Sequence, residues 1–202
     1  MSRSIRFTLT FLLGFLALSG CTSIPAPTTE WDNHQAALED INNFTAKGKV
    51  AFISPEQRVS ANFLWKQQDD ELSLRLTNFL GTTLLTLDTT PNMAVLVDGE
   101  GQRYVDRNAS TLLRNLTGVA LPVDEMTQWI KGLPTEKNDI TLGGDNRLAF
   151  LSENNADTNQ PGWQVEYSAY DASTGSLLPS KIKMNQNTQK VNLVISEWIY
   201  PQ

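Results

Sequence analysis

The chain reads as α+β: one curved antiparallel sheet with helices packed on its concave side. Three observations predict this. Apolar residues recur at every second position through much of the chain after residue 45. Short polar turns separate these runs, which favours a meander over parallel crossovers. Helical spacing is confined to one segment before the strands and two in the middle.

The first element is a helix starting near residue 30. Thr29-x-x-Asp32 resembles a capping box, and Trp31, His34, Leu38 and Ile41 share one face. His34 is the only histidine. It lies on that apolar face without a cysteine or histidine partner, so packing explains it better than metal or catalysis.

Strands come next. Val59, Ala61, Phe63 and Trp65 alternate with Ser60, Asn62, Leu64 and Lys66. Leu72, Leu74 and Leu76 alternate with Ser73, Arg75 and Thr77, and Met93, Val95 and Val97 form the next apolar phase. Turn signals stand at 54–57 (SPEQ), 68–70 (QDD), 78–81 (NFLG), 90–92 (TPN) and 98–99 (DG). Asp69, Asp70 and Glu71 are adjacent carboxylates, but at a hairpin turn they are ordinary solvated charge.

Two helices interrupt the sheet. Asn108 caps the first, Leu112, Leu113 and Leu116 form its stripe, and Gly118 ends it. The second has Pro122 in its first turn, with Asp124 and Glu125 beside the positive helix end. Val123, Met126, Trp129, Ile130 and Leu133 supply its inner face, and Lys131, Gly132 and Pro134 stop it. Strand patterns resume at 147–151, at Trp163, Val165, Tyr167 and Ala169, at 181–184, and at Val191, Leu193 and Ile195. Residues 153–161 (ENNADTNQP) read as a polar loop. The expected order is helix, five or six strands, two helices and about four strands.

The N-terminus carries the sharpest functional signal. Arg3 and Arg6 precede an uncharged run from residue 7 to 20 that ends in Leu18-Ser19-Gly20-Cys21. The run is too short to span a bilayer as a helix and reads as a secretory signal with a lipobox. Residues 1–20 are the expected signal peptide, Cys21 the lipidated residue, 21–30 a Pro/Thr-rich tether, and 31–202 the domain. Cys21 is the only cysteine, so it has no internal disulfide partner. By bacterial sorting logic, Thr22 in place of Asp favours the outer membrane.

Removing twenty leader residues from 202 leaves 182, enough for one domain with a sizeable core. It also removes two of 16 basic residues, leaving 14 against 22 acidic ones and a mature charge of −8. Such a chain, lacking a basic block, is a poor partner for nucleic acid. No Gly-x-Ser-x-Gly elbow, phosphate-cradling glycine loop or metal-ligand spacing is present, so the chain is not expected to be an enzyme or to hold a cofactor or metal.

The segment LTNFLGTTLLTL (76–87) is unusual. Phe79 and Leu80 lie between the turn residues Asn78 and Gly81, and an apolar hairpin tip implies a membrane or partner contact. Leu80 also shares the parity of Leu72, Leu74 and Leu76, so an extended strand would send it to the core. Pattern alone leaves both readings open.

With GKVAFIS (48–54), GQRY (101–104), QWIKGLP (128–134), WQVEY (163–167) and the lipobox, this segment makes the chain resemble the LolB family of outer-membrane lipoproteins. The resemblance implies an open half-barrel of about eleven antiparallel strands, with helices enclosing a hydrophobic cavity on its concave face. It implies a monomeric receptor that takes acylated lipoproteins from the periplasmic carrier LolA without nucleotide hydrolysis. The receptor then inserts them into the inner leaflet of the outer membrane. Phe79, Leu80 and Gly81 match the family's insertion loop. Phe79 stands where proline is expected, implying a more apolar and less rigid tip. Candidates for the acyl-chain cavity are Phe63, Trp65, Leu74, Leu76, Leu85, Met126, Trp129, Ile130 and Trp163, each equally readable as plain core. The alternatives are a lipid-anchored binder of free lipid or glycolipid and a scaffold lipoprotein of an outer-membrane complex.

Overall fold

The computed structural model describes residues 30–119, 121–154, 161–175 and 177–201. The expected signal peptide (1–20), Cys21, Thr29 and most of the 153–161 loop lie outside them. Eleven strands form one open sheet in the order β6-β5-β4-β3-β2-β1-β11-β10-β9-β8-β7, every neighbouring pair antiparallel. The first meander comprises β1 (Asn43–Ile53), β2 (Arg58–Gln68), β3 (Glu71–Thr77), β4 (Thr83–Thr90), β5 (Met93–Asp98) and β6 (Arg103–Asp106). The second comprises β7 (Asn138–Leu142), β8 (Leu148–Glu153), β9 (Gln164–Tyr170), β10 (Pro179–Gln186) and β11 (Gln189–Ile199). The outer strands β1 and β11 of the chain's two halves pair in the middle of the sheet.

Among the described residues three α-helices complete the fold: α1 (Glu30–Glu39), α2 (Ala109–Thr117) and α3 (Val123–Trp129). The segment carrying α2 and α3 runs from edge strand β6 to edge strand β7, so the helices occupy the space that a closed barrel would fill with strands. Asn108 caps α2 by accepting the Thr111 N–H at 2.8 Å, and Gly118 ends it at φ 73°. Pro122 is the cap residue of α3, one position earlier than expected.

The core is continuous. Phe63, Trp65, Leu87 and Leu96 from the first meander meet Leu151, Val165 and Ile182 from the second, under Leu38, Trp129 and Ile130. Two expected details are corrected. In β5 the buried phase is Ala94 and Leu96, and Met93 is exposed. Both phases of that strand are apolar, so alternation alone selects the wrong one. Strand β7 carries no legible pattern because its Ile140 is exposed at the sheet edge.

The recurrent short strings have local reasons. Gly48 opens GKVAFIS beside a β1–β11 bulge, where a Cβ would overlap the Val194 carbonyl oxygen. In GQRY, Gly101 takes φ 83° in the β5–β6 turn, and Tyr104 Oη donates to Asp98 at 3.1 Å. In WQVEY, Trp163, Val165 and Tyr167 point into the core while Glu166 faces out to Lys183.

Candidate functional site

The strands end in two different places. At one end, the β2–β3 turn, the β4–β5 turn and α3 surround a polar cleft of about 490 Å³. Its walls include Gln67, Asp69, Asp70, Arg107, Asp124 and Lys131. Such a lining desolvates hydrocarbon poorly. At the other end, β1–β4, β11 and α2 enclose an apolar hollow of about 420 Å³. Leu76, Leu84 and Leu85 form its sheet side, and Leu113, Leu116 and Leu121 its helical side. Its size lies within the roughly 300–1,000 Å³ typical of small-molecule sites.

The polar end is held firmly. Lys131 is 4% exposed, and its Nζ donates to the Ile41 carbonyl at 3.0 Å and the Leu38 carbonyl at 3.4 Å, just beyond and within the last turn of α1. Burial lowers its pKa, and the Glu39 carboxylate works in the opposite direction. Trp129 Nε1 donates to Asn138 at 2.9 Å, and Tyr167 Oη donates to the Trp129 carbonyl at 2.8 Å. QWIKGLP is therefore a staple between α1, α3 and the sheet. Gly132 makes its turn at φ 85°, letting the Leu133 N–H reach the Gln128 carbonyl.

The apolar end is less tied. Gln57 Nε2 donates to the Thr117 carbonyl at 2.8 Å, linking the β1–β2 turn to the last turn of α2. Leu112 and Leu113 are buried, but Leu116, expected in the same stripe, is exposed at the hollow. At the rim, Asp98 accepts the backbone N–H groups of Glu100 and Gln102. Desolvation opposes ionisation there, but these bonds and that from Tyr104 hold the carboxyl below the usual range.

The loop between β3 and β4 leaves the same end. Phe79 is 87% exposed and Leu80 75%. The parity that would bury Leu80 is broken because Asn78 turns the chain. Its Oδ1 accepts the Leu80 N–H at 2.9 Å and the Thr82 N–H at 3.0 Å, while Gly81 adopts φ 86°. These bonds fix the turn without proline. A bulge then places Leu84 outside the β3–β4 register, where it joins the hollow. Loop and hollow are thus successive parts of one strand pair.

Of the cavity residues expected from sequence, Leu76 and Leu85 line this hollow. Phe63, Trp65, Met126, Trp129, Ile130 and Trp163 are instead buried in the packed core, and Leu74 is half-buried against it. Sequence reasoning missed Leu84, Leu113, Leu116 and Leu121 as lining. The clue available was the surplus of leucines in both 80–87 and 112–121.

A curved open sheet with helices across it and an apolar hollow at one end defines an open antiparallel half-barrel. A LolA superfamily protein from Nitrosomonas europaea shares the fold with a TM-score of 0.56 at 9% identity, over 87% of this chain and 95% of that one. A DUF1329 family protein from Desulfovibrio piger matches at TM-score 0.51 and 6% identity, over 84% and 91%.

The family is established by sequence relatives. A protein-family model described as Outer membrane lipoprotein LolB matches residues 42–198. The outer-membrane lipoprotein LolB of Vibrio cholerae is 39% identical over 98% of both chains, and that of Serratia proteamaculans 36% identical over 92% of both. The chain belongs to the LolB family and is an outer-membrane lipoprotein. That family comprises lipoprotein-localisation receptors and has no known enzymatic activity.

Proposed function

We propose that this protein accepts acylated lipoproteins from the carrier LolA and places them in the inner leaflet of the outer membrane, without nucleotide hydrolysis. The observation that carries this reading is the apolar hollow sharing one end of the sheet with the exposed Phe79–Leu80 tip.

Each acyl CH₂ removed from water contributes about 0.8 kcal/mol, so a free acylated cysteine aggregates or is shielded. The hollow offers that shield. At about 420 Å³ it is small for several long chains, so loading enlarges it by shifting α2, which forms its helical side. Transfer from carrier to receptor to bilayer proceeds downhill if each acceptor binds the chains better, and a step of about 1.4 kcal/mol gives a tenfold bias. The tip enters lipid, and Leu84 and Leu76 continue the apolar path behind it. Cys21, once lipidated, keeps the domain at the membrane. Phe79, Leu80 and Gly81 then act as the insertion loop, with Gly81 supplying the backbone angle that presents the two side chains.

A handover assay tests the reading. The Cys21→Ala protein is mixed with a carrier–lipoprotein complex, and the cargo's co-purifying partner is followed, with and without vesicles. Cargo is expected to move to this protein without nucleotide. Leu80→Glu, at a fully solvated tip, is expected to keep folding and acceptance but to lose release to vesicles by at least about tenfold. Cargo remaining on an active carrier overturns the handover, and equal loss of acceptance and release overturns the role of the tip.

A further inference from the structure

A mature charge of −8 opposes approach to any anionic surface, yet the convex face behind the tip is basic. In the transverse row nearest the loop, Lys181 pairs with Val194, Val194 with Lys49, Lys49 with Asn62 and Asn62 with Thr77. The next row on the same face holds Arg75, opposite Thr86, and Arg103, opposite Val97. All four basic residues are exposed, and none has an ion-pair partner among the described residues. Two lysines of the same face, Lys47 and Lys183, are paired with Glu197 and Glu166.

The apolar tip is continuous with this face. Phe79 borders a shallow groove on the convex side with Lys49, Asn62 and Val194, and Val194 is itself exposed. Carboxylates gather at the opposite end of the strands, where Asp69, Asp70 and Asp124 line the polar cleft. The tip end also carries Glu56, Asp98 and Glu100 in its neighbouring turns, so the basic character belongs to the convex face and not to the whole end.

We infer that the convex face beside the loop docks on the headgroups of an anionic phospholipid bilayer, with Lys49, Lys181, Arg75 and Arg103 in the headgroup layer. This inference rests on the proposed role of the Phe79–Leu80 tip and specifies the membrane that the tip enters. The basic rows offset the repulsion due to the net charge. Attraction of this kind amounts to roughly fivefold in binding per basic side chain near an anionic surface, and it weakens with salt.

Every strand, helix and core residue described lies within residues 30–201, so a chain starting at residue 22 retains the whole fold without an anchor. Its flotation is measured with vesicles of phosphatidylethanolamine, with and without phosphatidylglycerol. The wild type is expected to bind the anionic vesicles more tightly, with an advantage that disappears at high salt. Lys49→Glu with Lys181→Glu is expected to lose at least roughly 30-fold of the binding to anionic vesicles at unchanged thermal stability, and to keep its binding to neutral ones. Lys49→Arg with Lys181→Arg retains both. Leu80→Glu loses binding to both vesicle types. Wild-type binding that ignores phosphatidylglycerol, or a double-glutamate variant that binds like the wild type, overturns the headgroup role. An unaffected Leu80→Glu variant overturns the tip instead, so the two failures are distinguishable.

Discussion

At the polar end of the half-barrel, Lys131, Trp129 and Tyr167 tie α3 to α1 and to the sheet through buried or part-buried hydrogen bonds. At the apolar end, α2 is joined to the β1–β2 turn through Gln57, and its Leu116 stands at the edge of a hollow. Both ends are made from the same strands and from helices of one crossing segment. They differ in how completely their side chains are packed. At the polar end the cleft is lined by polar groups, and the large apolar side chains behind it, Trp129 and Ile130, are fully buried, so removing one leaves a cavity. At the apolar end the side chains already border empty space, so they contribute less to folding and, on the proposed function, exchange neighbours for acyl chains. On the proposed function, the main staple of the fold and the lipid site lie at opposite ends of one sheet.

The largest expected effect is at the packed end. Trp129→Ala removes a fully buried ring and the donor to Asn138, and is expected to destabilise folding by about 3–5 kcal/mol in chemical denaturation. A loss below about 1 kcal/mol breaks the comparison, because the end described as fixed would then tolerate a large void.

Leu116→Asp probes the other end. Leu116 is already partly solvated, so folding stability should change by less than about 1 kcal/mol. The same change places a charge at the rim of the hollow and should weaken binding of a fluorescent fatty acid by about tenfold. Unchanged fatty-acid binding would move the lipid site elsewhere, whereas a folding loss matching Trp129→Ala would show α2 to be structural.

The smallest effect concerns His34, which joins α1 to the β7–β8 hairpin and β9. Its ring contacts Trp31 and Tyr170, with Arg147 above Tyr170. Burial first, and the Arg147 charge second, hold its pKa below 6.5, against the opposing Asp145. The unfolded chain therefore binds more protons in the window just below pH 6.5. This contribution to stability is complete above that pH and declines as pH falls through it. Replacing His34 with Phe is expected to flatten the stability profile between about pH 7 and pH 5. A profile unchanged by the substitution removes His34 as a source of pH dependence.

Much of this fold is written locally. Turn residues at 54–57, 68–70 and 90–92 separate the strands, and Asn108 and Gly118 bound α2. Legibility fails where two signals compete. In β5, Val95 and Val97 look more apolar than Ala94 and Leu96, yet the latter pair is buried, because the pleat is set by register with β4 and β6. In the β3–β4 loop, parity places Leu80 inside, and the Asn78 turn reverses it. The cavity candidates illustrate the same limit. Trp65 and Leu85 are both buried on the inner face, but only Leu85 lines the hollow, since α3 packs over one part of the sheet and α2 leaves space over another.

By itself the sequence determined the α+β class, the sheet's meander and the apolar character of Phe79–Leu80. These depend on spacing, turn chemistry and residue type within a few positions of one another. Only the tertiary structure decided that Leu80 is exposed, that the hollow lies under α2 and not α3, and that Lys49, Lys181, Arg75 and Arg103 share a face. Those facts depend on which residues from distant strands are brought into register, and hydrophobic burial selects that register over the whole sheet at once.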